Sequence, residues 1–103
     1  GAPDLVRDRA TAQELAKLLG DASVALLRWH GAMIAAPTVR QAVVRSIHAE
    51  ENARLLLATM SCGRPIVALP RGEARREMYK RIMTAPHLAL CWSYEESLVK
   101  LPD

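Results

Sequence analysis

A chain of 103 residues, 50% hydrophobic, 24% charged and 4% aromatic, has the composition of one small globular domain, which excludes a disordered or collagen-like polymer. Fourteen Lys and Arg against eleven Asp and Glu leave a formal charge of +3. That balance is compatible with an anionic substrate, a nucleic acid or neither, and decides little by itself. No apolar run reaches the roughly 20 residues that cross a bilayer, and Gly1 to Asp8 lacks the basic-then-apolar order of a signal peptide, so a cytoplasmic protein without membrane contact is expected. Cys62 and Cys91 form no CxxC pair, which excludes a disulfide scaffold and fits a reducing compartment.

Phenylalanine is absent, so Leu, Val, Ile, Met and Ala must build the core. Small alanines gain little on burial, and a chain this short is marginal by itself, so burial against a partner is expected.

Thr11-Ala12-Gln13-Glu14 reads as a capping box that opens a helix carrying Leu15, Leu18 and Leu19, with Gly20 as its stop. Ser23 to Arg28 is a short apolar run between turn signals and reads as a buried strand. Trp29-His30-Gly31 interrupts it, with Gly31 permitting a bulge or sharp bend, and Ala32 to Ala36 resumes an extended apolar run that Pro37 ends. A second capping box, Thr38-Val39-Arg40-Gln41, opens the longest helix, expected to reach Cys62 before Gly63 and Pro65.

On that helix Val39, Val43, Ile47, Glu50, Arg54 and Leu57 form one stripe at helical spacing. Flanking apolar residues widen it enough to predict cover on two sides. Pro65 to Pro70 reads as an edge strand, Arg71 to Met83 as a helix with Met78, Ile82 and Tyr79 inward, and His87 to Leu101 as a last helix. The order is an α/β layered arrangement with too few strands for a self-sufficient sheet.

Among polar residues His30 is the most informative, because it ends an apolar strand before a glycine and is placed either to face a ligand or metal or to serve as a hydrogen-bonded structural residue. His48 and Glu51 stand three apart on the long helix, but a carboxylate-bridged di-metal site needs two Glu-x-x-His pairs. Glu50 falls on the apolar stripe and, if buried there, requires a hydrogen-bonding partner. Arg71, Arg75, Arg76, Lys80 and Arg81 read as a solvated helix face, since the aromatics and short-turn helix pair of a nucleic-acid module are missing. Neither cysteine is read as having a histidine near it in sequence, which leaves nucleophilic catalysis without support. Trp29, Trp92, Tyr79 and Tyr94 read as core or interface residues.

The segments Val24 to Ile34, Pro37 to Arg45 and Ala49 to Leu55 together resemble the class II aldolase/adducin family. The marks are an apolar strand ending in His30-Gly31, a second apolar strand, a capped helix and the run Glu50-Glu51-Asn52-Ala53-Arg54 inside it. The resemblance spans residues 10 to 70. It implies a three-layer α/β/α sandwich around a mostly antiparallel sheet, assembled as a homo-oligomeric tetramer. It also implies a divalent metal near a subunit interface, zinc foremost, with manganese, iron or cobalt as alternatives.

On that resemblance His30 is one of three histidine ligands. The other two belong to a His-x-His motif that this sequence lacks, its remaining histidines being His48 and His87. Ala36-Pro37 also stands where a glycine often follows the second strand. Residues 1–103 thus read as a single partial domain, the C-terminal half, whose partner is an N-terminal half on a separate or cleaved chain. The implied activity is that of a metal-dependent carbon–carbon lyase on a small anionic substrate. In such a lyase of aldolase or decarboxylase type, the metal stabilises enolate-like charge. An adducin-like non-catalytic assembly domain is the alternative.

Overall fold

The computed structural model describes residues 6–68 and 70–99. Its elements follow as α1 (Arg9–Leu19), β1 (Val24–Leu27), β2 (Gly31–Ile34), α2 (Val39–Met60), α3 (Glu73–Ile82) and α4 (Ala85–Leu98).

Helix α1 starts a turn earlier than the capping box at Thr11 predicts. Asp8 is the N-cap, and its carboxylate accepts from both the backbone N–H and the hydroxyl of Thr11, at 2.8 and 2.7 Å. Either residue type can cap, and the anion wins because it serves the N–H groups and the positive helix end together. Gly20 closes the helix at φ +51.

Strands β1 and β2 pair antiparallel in the register Val24↔Ile34, Ala25↔Met33, Leu26↔Ala32 and Leu27↔Gly31. The interruption at 29–31 is therefore a hairpin turn rather than a bulge, closed by the His30 N–H donating to the Leu27 carbonyl at 3.0 Å. The expected third strand does not form among the described residues: 65–68 and 70 are irregular, and Leu69 lies outside them. Two prolines in six positions remove ladder donors, which disfavours strand pairing there. A two-stranded hairpin alone is marginal in water, so packing must hold it.

The packing comes from α2. Thr38 caps it, its hydroxyl accepting from the Gln41 N–H at 3.2 Å, as the second capping box predicts. The helix ends at Met60 just before Gly63, which sits at φ +69. The buried side chains among the described residues are Val44 on α2 and Leu88 on α4, so the core is the α2–α4 contact with β2 leaning on α2.

The predicted stripe is not the inward one. Val39, Val43 and Leu57 are exposed, and so is every residue of α2 from Glu50 to Met60. The helix is apolar around much of its circumference, and with α4 and β2 to cover it the contact falls on the Val44 side. Leu26, on the outer face of β1, is 85% exposed. The radius of gyration of 16.6 Å exceeds the roughly 13 Å of a compact chain this long. The elements form an open layer rather than a closed core.

Helices α3 and α4 meet at Thr84, which caps α4 through its hydroxyl. Pro86 lies inside the first turn of α4, where its missing N–H costs nothing, so α4 begins at Ala85 rather than at His87. The predicted end at Leu101 lies outside the described residues. Met78, Tyr79 and Ile82, expected inward, are half exposed at the rim of a cleft.

Candidate functional site

His30 lies at the tip of the β1–β2 hairpin, in the three-residue connection Arg28-Trp29-His30. The turn forces Trp29 to φ +70, a left-handed conformation that non-glycine residues seldom adopt, and Gly31 follows at φ +126. The imidazole is exposed, and its backbone N–H is spent on the Leu27 carbonyl. The hairpin thus fixes where the ring emanates and leaves the ring free for an outside ligand. Trp29 beside it is 75% exposed, with the Arg28 guanidinium 5.3 Å from its ring.

As a metal donor His30 offers one imidazole. Among the described residues no three His, Cys, Asp or Glu side chains are grouped to hold an ion. A metal at this turn would need its other ligands from outside the described chain, because catalytic sites keep about three protein ligands.

Glu50 is not buried. It stands exposed and pairs with Arg54 one helical turn on, while Glu51 is also exposed. The solvated reading of the basic segment holds: Arg71, Arg75, Arg76, Lys80 and Arg81 are all exposed, with Lys80 donating to Glu77 at 2.8 Å.

Two groupings were not foreseen from the sequence. First, Sγ of Cys91 lies 3.5 Å from Nε2 of His87, and the His87 ring is 6.4 Å from that of His48 across the α2–α4 contact. The spacing of four on one helix was the readable signal for the first pair, and it corrects the view that neither cysteine has a histidine near it. The approach of His48 depends on helix packing and has no sequence signal.

Second, a cleft of about 620 Å³ opens between the start of β1, the middle of α2 and α3. Arg45, His48, Asn52 and Arg75 line it together with Val24, Met78, Tyr79 and Ile82. Arg45 donates from Nη1 to the Ala35 carbonyl at 2.7 Å, which ties α2 to the end of the hairpin, and its Nε is buried without an acceptor.

An apolar hairpin with His-Gly at its tip, running into a capped helix with the Glu-Glu-Asn-Ala-Arg run, marks the class of protein. A family model described as the Class II Aldolase and Adducin N-terminal domain matches residues 2–57, and the chain belongs to the class II aldolase and adducin family. Its similarity to a 3,4-dihydroxyphthalate decarboxylase from Arthrobacter keyseri is 42% identity over 69 residues. That stretch is 67% of this chain but 28% of the relative, so the chain spans less than a third of the length of that protein. No solved structure matches. No helix among the described residues is long and apolar enough to cross a membrane.

Proposed function

We propose that this chain is the C-terminal part of the catalytic domain of a metal-dependent carbon–carbon lyase, of the decarboxylase type and acting on an aromatic acid. The observation that carries the reading is the 42% identity to a decarboxylase of 3,4-dihydroxyphthalate, within a family whose model covers the hairpin and all but the last three residues of α2. The exposed imidazole at the hairpin tip supports it, because a ligand shared with another segment must be reachable from outside the chain.

In this reading the hairpin presents His30 as one ligand, and the turn hydrogen bond from its own N–H holds the ring's origin in place. A divalent cation completed by donors from the rest of the domain would supply Lewis-acid polarisation of a substrate oxygen. The open layer supports the same picture. Leu26, Leu55, Leu57 and Met60 are apolar and uncovered, as expected where the missing part of the domain and further subunits of a homo-oligomer pack. The three-layer sandwich is the architecture that would cover both sides of this layer.

The test is His30→Ala in the complete protein, with metal content and carbon dioxide release from 3,4-dihydroxyphthalate measured on the same samples. The expected result is loss of both metal and activity with the assembly unchanged. A complete protein that holds no divalent metal and releases no carbon dioxide, yet assembles normally, would replace this reading with the adducin-like assembly domain.

A further inference from the structure

The cleft between β1, α2 and α3 has no part in the reaction proposed at the hairpin tip. Its volume of about 620 Å³ lies within the range of small-molecule sites, roughly 300–1,000 Å³. Two guanidinium groups, Arg45 and Arg75, and the imidazole of His48 line it, and no carboxylate does. Neither arginine forms an ion pair among the described residues, although other charged residues on the same helices pair within one turn. Cationic groups left unpaired on the walls of a partly apolar concavity are arranged for an anion.

We propose that this cleft is a binding site for a small carboxylic acid with an apolar body. Arg45 is held by its bond to the Ala35 carbonyl, so its guanidinium is ordered before any ligand arrives. A planar fork of that kind matches a carboxylate in two hydrogen bonds. Arg75 provides a second cation from the opposite wall, and Asn52 adds a neutral donor. Val24, Met78 and Ile82 present apolar surface beside these groups, which a bare inorganic ion could not use.

The site is separate from the hairpin tip. It touches the start of β1 at Val24 and the preceding Ser23, whereas His30 follows the other end of the strand, about 13 Å away at the usual rise per residue. Occupancy therefore requires no metal and does not rest on the lyase reading.

Calorimetric titration of the complete protein tests this. A His30→Ala background removes any acid held by a metal at the turn. The probes are phthalate and inorganic phosphate. The expected result is saturable phthalate binding that Arg75→Gln weakens at least tenfold. Arg76→Gln, an equal charge change on α3 outside the cleft, should leave it within twofold. Both arginines are exposed, and an unchanged circular dichroism spectrum confirms that the variants fold. Absent binding, equal weakening by the two variants, or phosphate binding as tight as phthalate would each overturn the proposal. Failure of the decarboxylase assay leaves it untouched, and so the two readings fail separately.

Discussion

Arg45 Nη1 donates to the Ala35 carbonyl at 2.7 Å, a bond that spans ten residues and joins the middle of α2 to the end of the hairpin. It is the long-range polar tie between the two parts of the chain that the family match covers. Because the donor is charged and the bond partly buried, Arg45→Ala should lower unfolding stability by about 2 kcal/mol. Urea denaturation measures this directly, and a loss below the error of that experiment would show that the hairpin is held by apolar packing alone.

A second prediction separates the packed half of α2 from the bare half. Val44 is 1% exposed, and Val44→Ala should cost about 2 kcal/mol in the isolated chain through lost burial and the void left behind. Leu57 is 67% exposed, so Leu57→Ala should change the isolated chain by less than about 0.5 kcal/mol. On the proposed lyase reading the same Leu57 substitution should become costly in the complete protein, where the rest of the domain would cover that surface. Equal, small effects of Leu57→Ala in both contexts would show that this end of α2 faces water throughout.

Trp29 holds a left-handed conformation that its own side chain does not favour, at φ +70. Asn tolerates that conformation better, and little buried surface is lost from a residue already 75% exposed. Trp29→Asn should raise the stability of the isolated chain by about 0.5 kcal/mol. In the complete protein the substitution should instead weaken assembly, since a bulky residue kept under strain at a turn is expected to have a surface to fill. Thermal melts of the chain and sedimentation of the complete protein read the two signs.

The Asp8 carboxyl is held below its ordinary value near 3.8, first by the Thr11 backbone N–H and then by the Thr11 hydroxyl, with burial opposing slightly. A depressed folded-state value means that its contribution is present above the unfolded value and is lost as pH falls through the folded one. Helicity of Arg9–Leu19 should therefore decline below about pH 4. Asp8→Asn, which still caps but does not titrate, should remove that decline. Far-ultraviolet circular dichroism across pH 2 to 6 checks both, and identical profiles for the two proteins would place the acid sensitivity elsewhere.

Cys62 is exposed just beyond α2, whereas Cys91 is half buried against His87. A maleimide under native conditions should label Cys62 first, and His87→Ala should speed the labelling of Cys91 by opening its flank. Mass spectrometry of timed digests reads the order. Faster labelling of Cys91 in the unaltered protein would show that the α2–α4 contact opens readily.

Local chemistry makes several elements legible in the sequence. Thr38 capping α2, Gly20 and Gly63 at helix ends, and the apolar pair of strands around His30-Gly31 all follow from short-range propensities that act whatever the surroundings. The family, too, was readable, because the order of those pieces survives in the chain itself. Where the reading departed from the structure, a choice between near-equal local options had been left to packing. Asp8 replaced Thr11 as cap, the sharp turn was taken over the bulge at Gly31, and the described residues from Pro65 to Pro70 formed no strand.

By itself the sequence determined most of the helices, the two apolar strands and the place of His30 at the break between them, since each depends on residues within a few positions of one another. Only the tertiary structure decided which side of α2 is inward, that Glu50 faces solvent and pairs with Arg54, and that Arg45, His48 and Arg75 share a cleft. The physical reason is that α2 is apolar around much of its surface. Such a helix accepts a neighbour on almost any side, and the neighbours, not its periodicity, select the face that is buried.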